Sequence, residues 1–312
     1  SAAFDLNRIP EVRARLEHHL DPGLEASPSV RAVYGQWFPH LTLLDAHWTR
    51  RNVERIFSDR FPELRDAAWE TYLRSCRVYN TPFELLRDEY AAAVHRLPGN
   101  GGRSATTRGH PERRLGEHLL ILAGRAILSW SDEDALLRLF FEKAKPQDVQ
   151  GAIGRIGREL CQEEIELPRD ALERYRSLTE ELLALLEARG RERMGHLRSL
   201  GWWIASGRFD PKWTLTCLER LIELAGTATP YFEVMECLVE LSKDHPVGTF
   251  EVLRSWLNAE QVERPRLLRR NEAARTILTG ALANRSSSAE ARALIQRLGA
   301  QGYLGFRDLL EE

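Results

Sequence analysis

Gly201-Trp202-Trp203-Ile204-Ala205-Ser206-Gly207-Arg208-Phe209-Asp210-Pro211-Lys212-Trp213 holds the end of one helix and the start of the next. Gly207 lacks the Cβ that opposes a left-handed backbone, so it is placed to end the first helix. Asp210 can accept hydrogen bonds from the orphan N–H groups of the following first turn. Pro211 brings its fixed φ to the first helical position, where its missing N–H is no loss. Adjacent Trp202 and Trp203 project about 100° apart on a helix, so one can enter a core while the other packs on a neighbouring element. The stretch reads as helix, turn, helix.

The same grammar recurs on both sides. Pro146, Pro168, Pro211, Pro230 and Pro246 each precede an amphipathic stretch, and Asp210-Pro211, Thr229-Pro230 and His245-Pro246 mark the sharpest starts. Upstream, Val53, Ile56 and Phe57 share a face before Phe61-Pro62 breaks the run. Leu64, Ala67, Ala68, Tyr72 and Leu73 resume it at helical spacing. Thr81-Pro82 reads as an N-cap with an N1 proline ahead of Phe83, Leu86, Tyr90 and Val94, and Leu115, Leu119, Leu122 and Ala126 form a further stripe. Ser131-Asp132-Glu133-Asp134 has the form of a capping box. Short alternating Val, Ile and Thr runs of the kind that build sheets do not recur. The expected fold is all-α, an α-solenoid of stacked antiparallel helix pairs resembling HEAT repeats, with pairs at roughly 35–45-residue spacing from Pro211 onward.

The expected organisation is an N-terminal helical segment over 1–97, a Gly-rich exposed loop over 98–110, and a helical-repeat array over 111–312 continuous with the first segment. A chain of 312 residues exceeds the usual single compact core, which favours either two domains or a repeat array. At 43% hydrophobic and 29% charged it has the composition of a folded soluble protein. A net charge of −2 provides no global field toward nucleic acid or anionic lipid, so such binding would need a local patch. Cys76, Cys161, Cys217 and Cys237 form no C-x-x-C pair and suit a reducing, cytoplasmic setting. No leader and no membrane-spanning run is expected.

Local catalytic signatures fail one after another. The Gly-rich segment has neither the lysine nor the preceding strand of a phosphate-binding loop. Adjacent His18 and His19 point in different directions on a helix and cannot chelate a metal together, and H-E-x-x-H is absent. No nucleophile elbow occurs. The expectation is a non-catalytic chain without cofactor or metal, working by binding a protein partner. Trp202, Trp203, Arg208 and Trp213 are the candidate contacts, being dense in aromatics with flanking cationic groups. The alternative is nucleic-acid binding through Arg191, Arg193, Arg266, Arg269 and Arg270, with Arg189, Arg198 and Arg264 nearby; interleaved Glu187, Glu192, Glu263 and Glu272 dilute that field.

The stretch from Gly201 to Trp213 resembles the G-W-W-x-x-S-G-x-F-D-x-x-W segment of HEAT-like C-terminal regions in large bacterial STAND/NACHT-type ATPases of antiphage defence. Ala68-Trp69-Glu70-Thr71-Tyr72-Leu73 and Leu298-Gly299-Ala300-Gln301-Gly302-Tyr303 extend the likeness from about residue 45 onward. The resemblance implies a ligand-sensing helical arm within a larger multidomain or multi-subunit defence complex, itself without ATPase activity. It transfers no binding residues.

Overall fold

The computed structural model describes residues 5–97, 111–162, 164–259 and 271–311. The 98–110 segment therefore lies outside the described residues. Among those described, the chain is all-helical and contains no strand. Contacts divide it into two compact units, Ser1–Asp148 and Val149–Glu312. The division falls after Asp148.

The first unit contains α1 (Pro10–His19), α2 (Pro28–Leu44), α3 (Ala46–Ile56), α4 (Pro62–Ser75), α5 (Asn80–Arg96), α6 (Pro111–Gly124) and α7 (Leu136–Lys143). Prolines open α1, α2, α4 and α6, and Asp45 caps α3 by accepting from Trp48 N at 2.8 Å. The core forms where α2 crosses α4. A Cβ on Gly35 would lie 1.9 Å from the Ala68 carbonyl oxygen, so only glycine permits this approach. Around the crossing, Phe38, Phe57, Trp69, Tyr72, Phe83 and Tyr90 form a continuous set of edge-to-face contacts. Their polar tips are satisfied internally. The Tyr72 and Tyr90 hydroxyls lie 3.2 Å apart, Tyr90 Oη meets His118 Nδ1 at 2.8 Å, and His118 Nε2 faces the Cys76 carbonyl at 3.3 Å. Burial pushes the His118 pKa down to about 4, so the imidazole is neutral.

Three expected boundaries shift in this unit. α5 begins at Asn80 with Tyr79 as its cap, so Pro82 occupies the third position, still within the turn whose N–H groups are orphans. α6 ends at Gly124, and Ala126 lies beyond it with φ +58°. Ser131 caps no helix, and of this run Asp134 reaches the start of α7, accepting from Leu136 N at 3.5 Å. Asp132 accepts instead from Ser129 N, and Asp134 is drawn to Arg87 at 2.6 Å, so α7 starts later, after Ala135 in the left-handed region.

α8 (Pro146–Leu160) contributes nearly all its length to the second unit. There follow α9 (Arg169–Arg189), the short α10 (Arg191–Met194) and α11 (Gly201–Ile204), then α12 (Pro211–Ala225), α13 (Tyr231–Leu241), α14 (Pro246–Asn258), α15 (Asn271–Ala283) and α16 (Ser288–Ala300). Pro146, Pro211 and Pro246 take the first helical position, while Pro168 and Pro230 stand one residue earlier. Within this unit α12 packs on α14, α14 on α15, α13 on α15, and α16 on the 3-10 segment Leu304–Leu310. Phe250, Leu253 and Trp256 of α14 are fully or almost fully buried at the centre of these contacts.

Candidate functional site

The structure places the Gly201–Trp213 stretch as a wedge inside the second unit. Gly207 takes φ +75° beyond α11, and Asp210 accepts from Lys212 N and Trp213 N, both at 3.0 Å, to cap α12. Trp203 is 0% exposed; its indole N–H donates to the Ile153 carbonyl at 2.9 Å and its ring meets Tyr175 edge-on. A fully buried indole cannot touch a partner, so Trp203 is corrected from contact to core. Trp202, half-buried, turns the other way. It lies on Gly154 and Gly157 of α8, with the Arg158 guanidinium 5.8 Å from its ring centroid.

Arg208 is also taken up internally. Its Nε donates to the Leu160 carbonyl at 2.9 Å and its Nη2 to the carbonyls of Gln162 and Ile165, closing the end of α8. Trp213 donates from Nε1 to Glu180 at 2.8 Å and lies under Arg176, with Phe209 against its ring. Both remain partly exposed, but each already has the partners its chemistry calls for. The four expected contacts thus come together as a joint among α8, α9 and α12.

Of the arginines, Arg191 is half-exposed and Arg193 exposed on α10; Arg266, Arg269 and Arg270 lie outside the described residues. Nearby, Glu187 pairs with Arg220 at 2.5 Å. All four cysteines are free thiols, and burial raises Cys76 to about 12 and Cys217 and Cys237 to about 11, away from the range of a reactive thiolate.

A different surface has the character of a binding site, and it lies in the first unit. α1 buries none of its residues. It is pinned at its ends by Leu6 and Leu20, both buried, and along its last turns by polar struts. Tyr34 Oη donates to the Leu16 carbonyl at 2.7 Å, Arg55 to the Glu17 carbonyl at 3.0 Å, and Arg31 to the Leu20 carbonyl at 3.2 Å. Trp48 Nε1 donates to the Glu17 carboxylate at 3.1 Å. Beside α1 and α2 lies a cleft of about 710 Å³, lined by Leu16 and His19 from α1 and by Val30, Val33, Trp37 and Leu44 among others from α2. That volume falls among ligand-sized pockets, roughly 300–1,000 Å³.

The cleft's electrostatics follow from α2 itself. Arg31 is its only charged residue, is 1% exposed, and is spent on the Leu20 and Arg55 carbonyls. Burial lowers its pKa and raises that of Tyr34 to about 12. The outward face of α2 is consequently charge-free, yet Val33 is 51%, Trp37 50% and Leu43 84% exposed. Large apolar side chains grouped on a surface in this way mark interaction sites. The signal was present in the sequence as seventeen residues, Pro28–Leu44, with a single charge.

Compared with family models, curated proteins and solved structures, the chain finds no match.

Proposed function

We propose that this chain is a non-catalytic helical module that binds a protein partner through the α1–α2 cleft. The observation that carries the reading is the exposed, uncharged face of α2 beside a helix that has no buried side chains of its own. Water is a poor solvent for Val33, Trp37 and Leu43, and their coverage by a partner would contribute about 25 cal/mol per Å² of apolar surface removed. The α-solenoid arrangement is part of the proposal. Its support is the packing of alternate helices, α12 on α14 and α13 on α15, as successive helix pairs would pack. The arm of a larger bacterial defence complex, acting in the cytoplasm, is the setting proposed from the resemblance of the Gly201–Trp213 stretch.

The test is Trp37→p-benzoylphenylalanine in the full chain, photolysed in cells of its source, with and without nuclease before recovery. A protein adduct that survives nuclease and disappears when the crosslinker is moved to exposed Lys212 supports the reading. Adducts to nucleic acid alone, or none to protein, overturn it. The nucleic-acid alternative draws on exposed Arg193 and Arg198 in the second unit; it requires duplex retention that weakens steeply with salt.

A further inference from the structure

We infer that the occupant of the α1–α2 cleft is an amphipathic α-helix of about four turns, supplied by the partner protein and presenting an uncharged aliphatic face. This rests on the protein-binding reading above and specifies what the partner inserts.

The walls decide the form of the occupant. Both are α-helices with backbone N–H and C=O groups paired internally, and at Pro39 of α2, which has no N–H to give, the Gly35 carbonyl accepts from Cys76 Sγ. An extended peptide laid between them would bury its own N–H and C=O groups with no sheet edge to receive them. A helix brings its backbone bonds satisfied. Val30, Val33, Trp37, Leu41 and Leu44 recur at the spacing of one helical face. From Val30 to Leu44 at 1.5 Å per residue this stripe runs roughly 21 Å, the length of four turns. Leu16 faces it from α1, with Val12, 46% exposed, one turn earlier on the same side. Two helical stripes bordering one trough form the groove that ridge-into-groove packing fills with a third helix.

The walls also decide its chemistry. With no charged side chain in the lining, a charged group on the inserted face would be desolvated without a partner, so that face is aliphatic. An acyl chain would bring a carboxylate or phosphate head group, and the one guanidinium of α2, Arg31, is buried and committed to two carbonyls. The polar side chains at the cleft are Tyr34, whose hydroxyl is spent on the Leu16 carbonyl, and His19 and His40, the first 3.5 Å from Glu25 and the second packed on Trp37.

The occupant also supplies what α1 lacks. A ten-residue helix is marginal in water by propensity alone. A third helix packed on Leu16 would give α1 the buried side chain it does not otherwise have. Insertion is therefore expected to slow amide exchange in α1.

The experiment is hydrogen exchange by mass spectrometry on the full chain with two synthetic peptides of about sixteen residues and identical composition. One carries leucines at i, i+3, i+4 and i+7; the other is scrambled to destroy that face. The amphipathic peptide is expected to slow exchange across 10–19 and 30–44 by about fivefold or more, and the scrambled one to leave it unchanged. The effect should vanish in Val33→Glu and in Trp37→Glu, whose exposed positions leave the circular dichroism spectrum unaltered. Equal protection by both peptides would overturn the inference as mere apolar adsorption. Protection by palmitate but not by the peptide would assign the cleft to an acyl chain. Protection that grows with protein concentration alone, with a dimer in sedimentation, would assign it to a second copy. A protein adduct at position 37 together with an inert amphipathic peptide would leave the recognition reading standing and remove the helix; absence of any protein adduct removes both.

Discussion

Gly35→Ala sets two opposed effects against each other in the first unit. In a helix interior alanine is favoured over glycine by about 1 kcal/mol, and if propensity decided, the variant would be more stable. The added Cβ, however, would lie 1.9 Å from the Ala68 carbonyl oxygen and 2.9 Å from its Cα. These are backbone atoms of α4, which no rotamer change can move aside. Reaching the closest tolerable separation of 3.0 Å requires α2 and α4 to part by about 1 Å. A gap of that size forfeits a quarter to a half of the dispersion attraction at the contact. The contact includes Phe38 against Tyr72, so we place the overpacking cost near the top of its usual range, about 3 kcal/mol. The net expectation is a loss of about 2 kcal/mol, or about 4–8 °C in Tm for a unit of this size. Thermal circular dichroism of the full chain gives the shift, and hydrogen exchange in α2 and α4 assigns it to this unit. Gly280→Ala is the control: its Cβ would meet nothing nearer than 3.6 Å, so it should stabilise by up to about 1 kcal/mol. A Gly35→Ala protein as stable as the parent, or more so, would refute the claim that the helices touch here.

Further outcomes are expected. Trp203→Ala should cost about 3–5 kcal/mol, because it empties a filled core position and removes the indole's hydrogen bond to the Ile153 carbonyl, whereas Trp202→Ala should cost clearly less; equal costs by urea titration would contradict the inward and outward assignment. His118 has a folded pKa of about 4 against 6.5 unfolded, so the unfolded chain binds more protons between those values. Its contribution is intact above about pH 6.5 and is lost as pH falls toward 4, by about 3 kcal/mol at most, with His196 adding in the same direction. His118→Gln should flatten the dependence of unfolding free energy on pH across that window, and an unchanged slope would contradict it. Of the four thiols, the partly exposed Cys161 and Cys237 should react first with a disulfide reagent at pH 8 and the buried Cys76 and Cys217 mainly after unfolding; prompt reaction at Cys76 would refute its burial.

Helix starts were legible wherever they depend on the neighbouring few residues. Asp210 caps α12 and Pro146, Pro211 and Pro246 open their helices because cap chemistry is settled within one turn. Ser131 to Asp134 misled because the competing partner, Arg87, lies far away in sequence and draws Asp134 into an ion pair. The tryptophan pair was half legible. Helical geometry shows that Trp202 and Trp203 diverge, but which one faces inward depends on where α8 and α9 run. Arg208 looked available as a surface cation, and nothing local reveals that the last carbonyls of α8 and its following loop converge on it. The cleft was missed for a related reason. An apolar stripe such as Val30, Val33, Trp37 and Leu44 announces that a face needs covering, and only the positions of the other described helices of the first unit show that none of them covers it.

The seat of Trp202 has a consequence for how this chain can change over time. A Cβ at position 157 would stand 2.3 Å from Trp202 Cβ and 3.2 Å from Trp203 Cδ1, and every residue but glycine brings that first atom to position 202. The constraint is therefore one-sided: the ring at 202 can shrink without opening room for a methyl at 157. In homologous chains position 157 should stay glycine while the size of the side chain at 202 varies. Such an unvarying glycine would register the α8–α11 contact in sequence data without any structure at all.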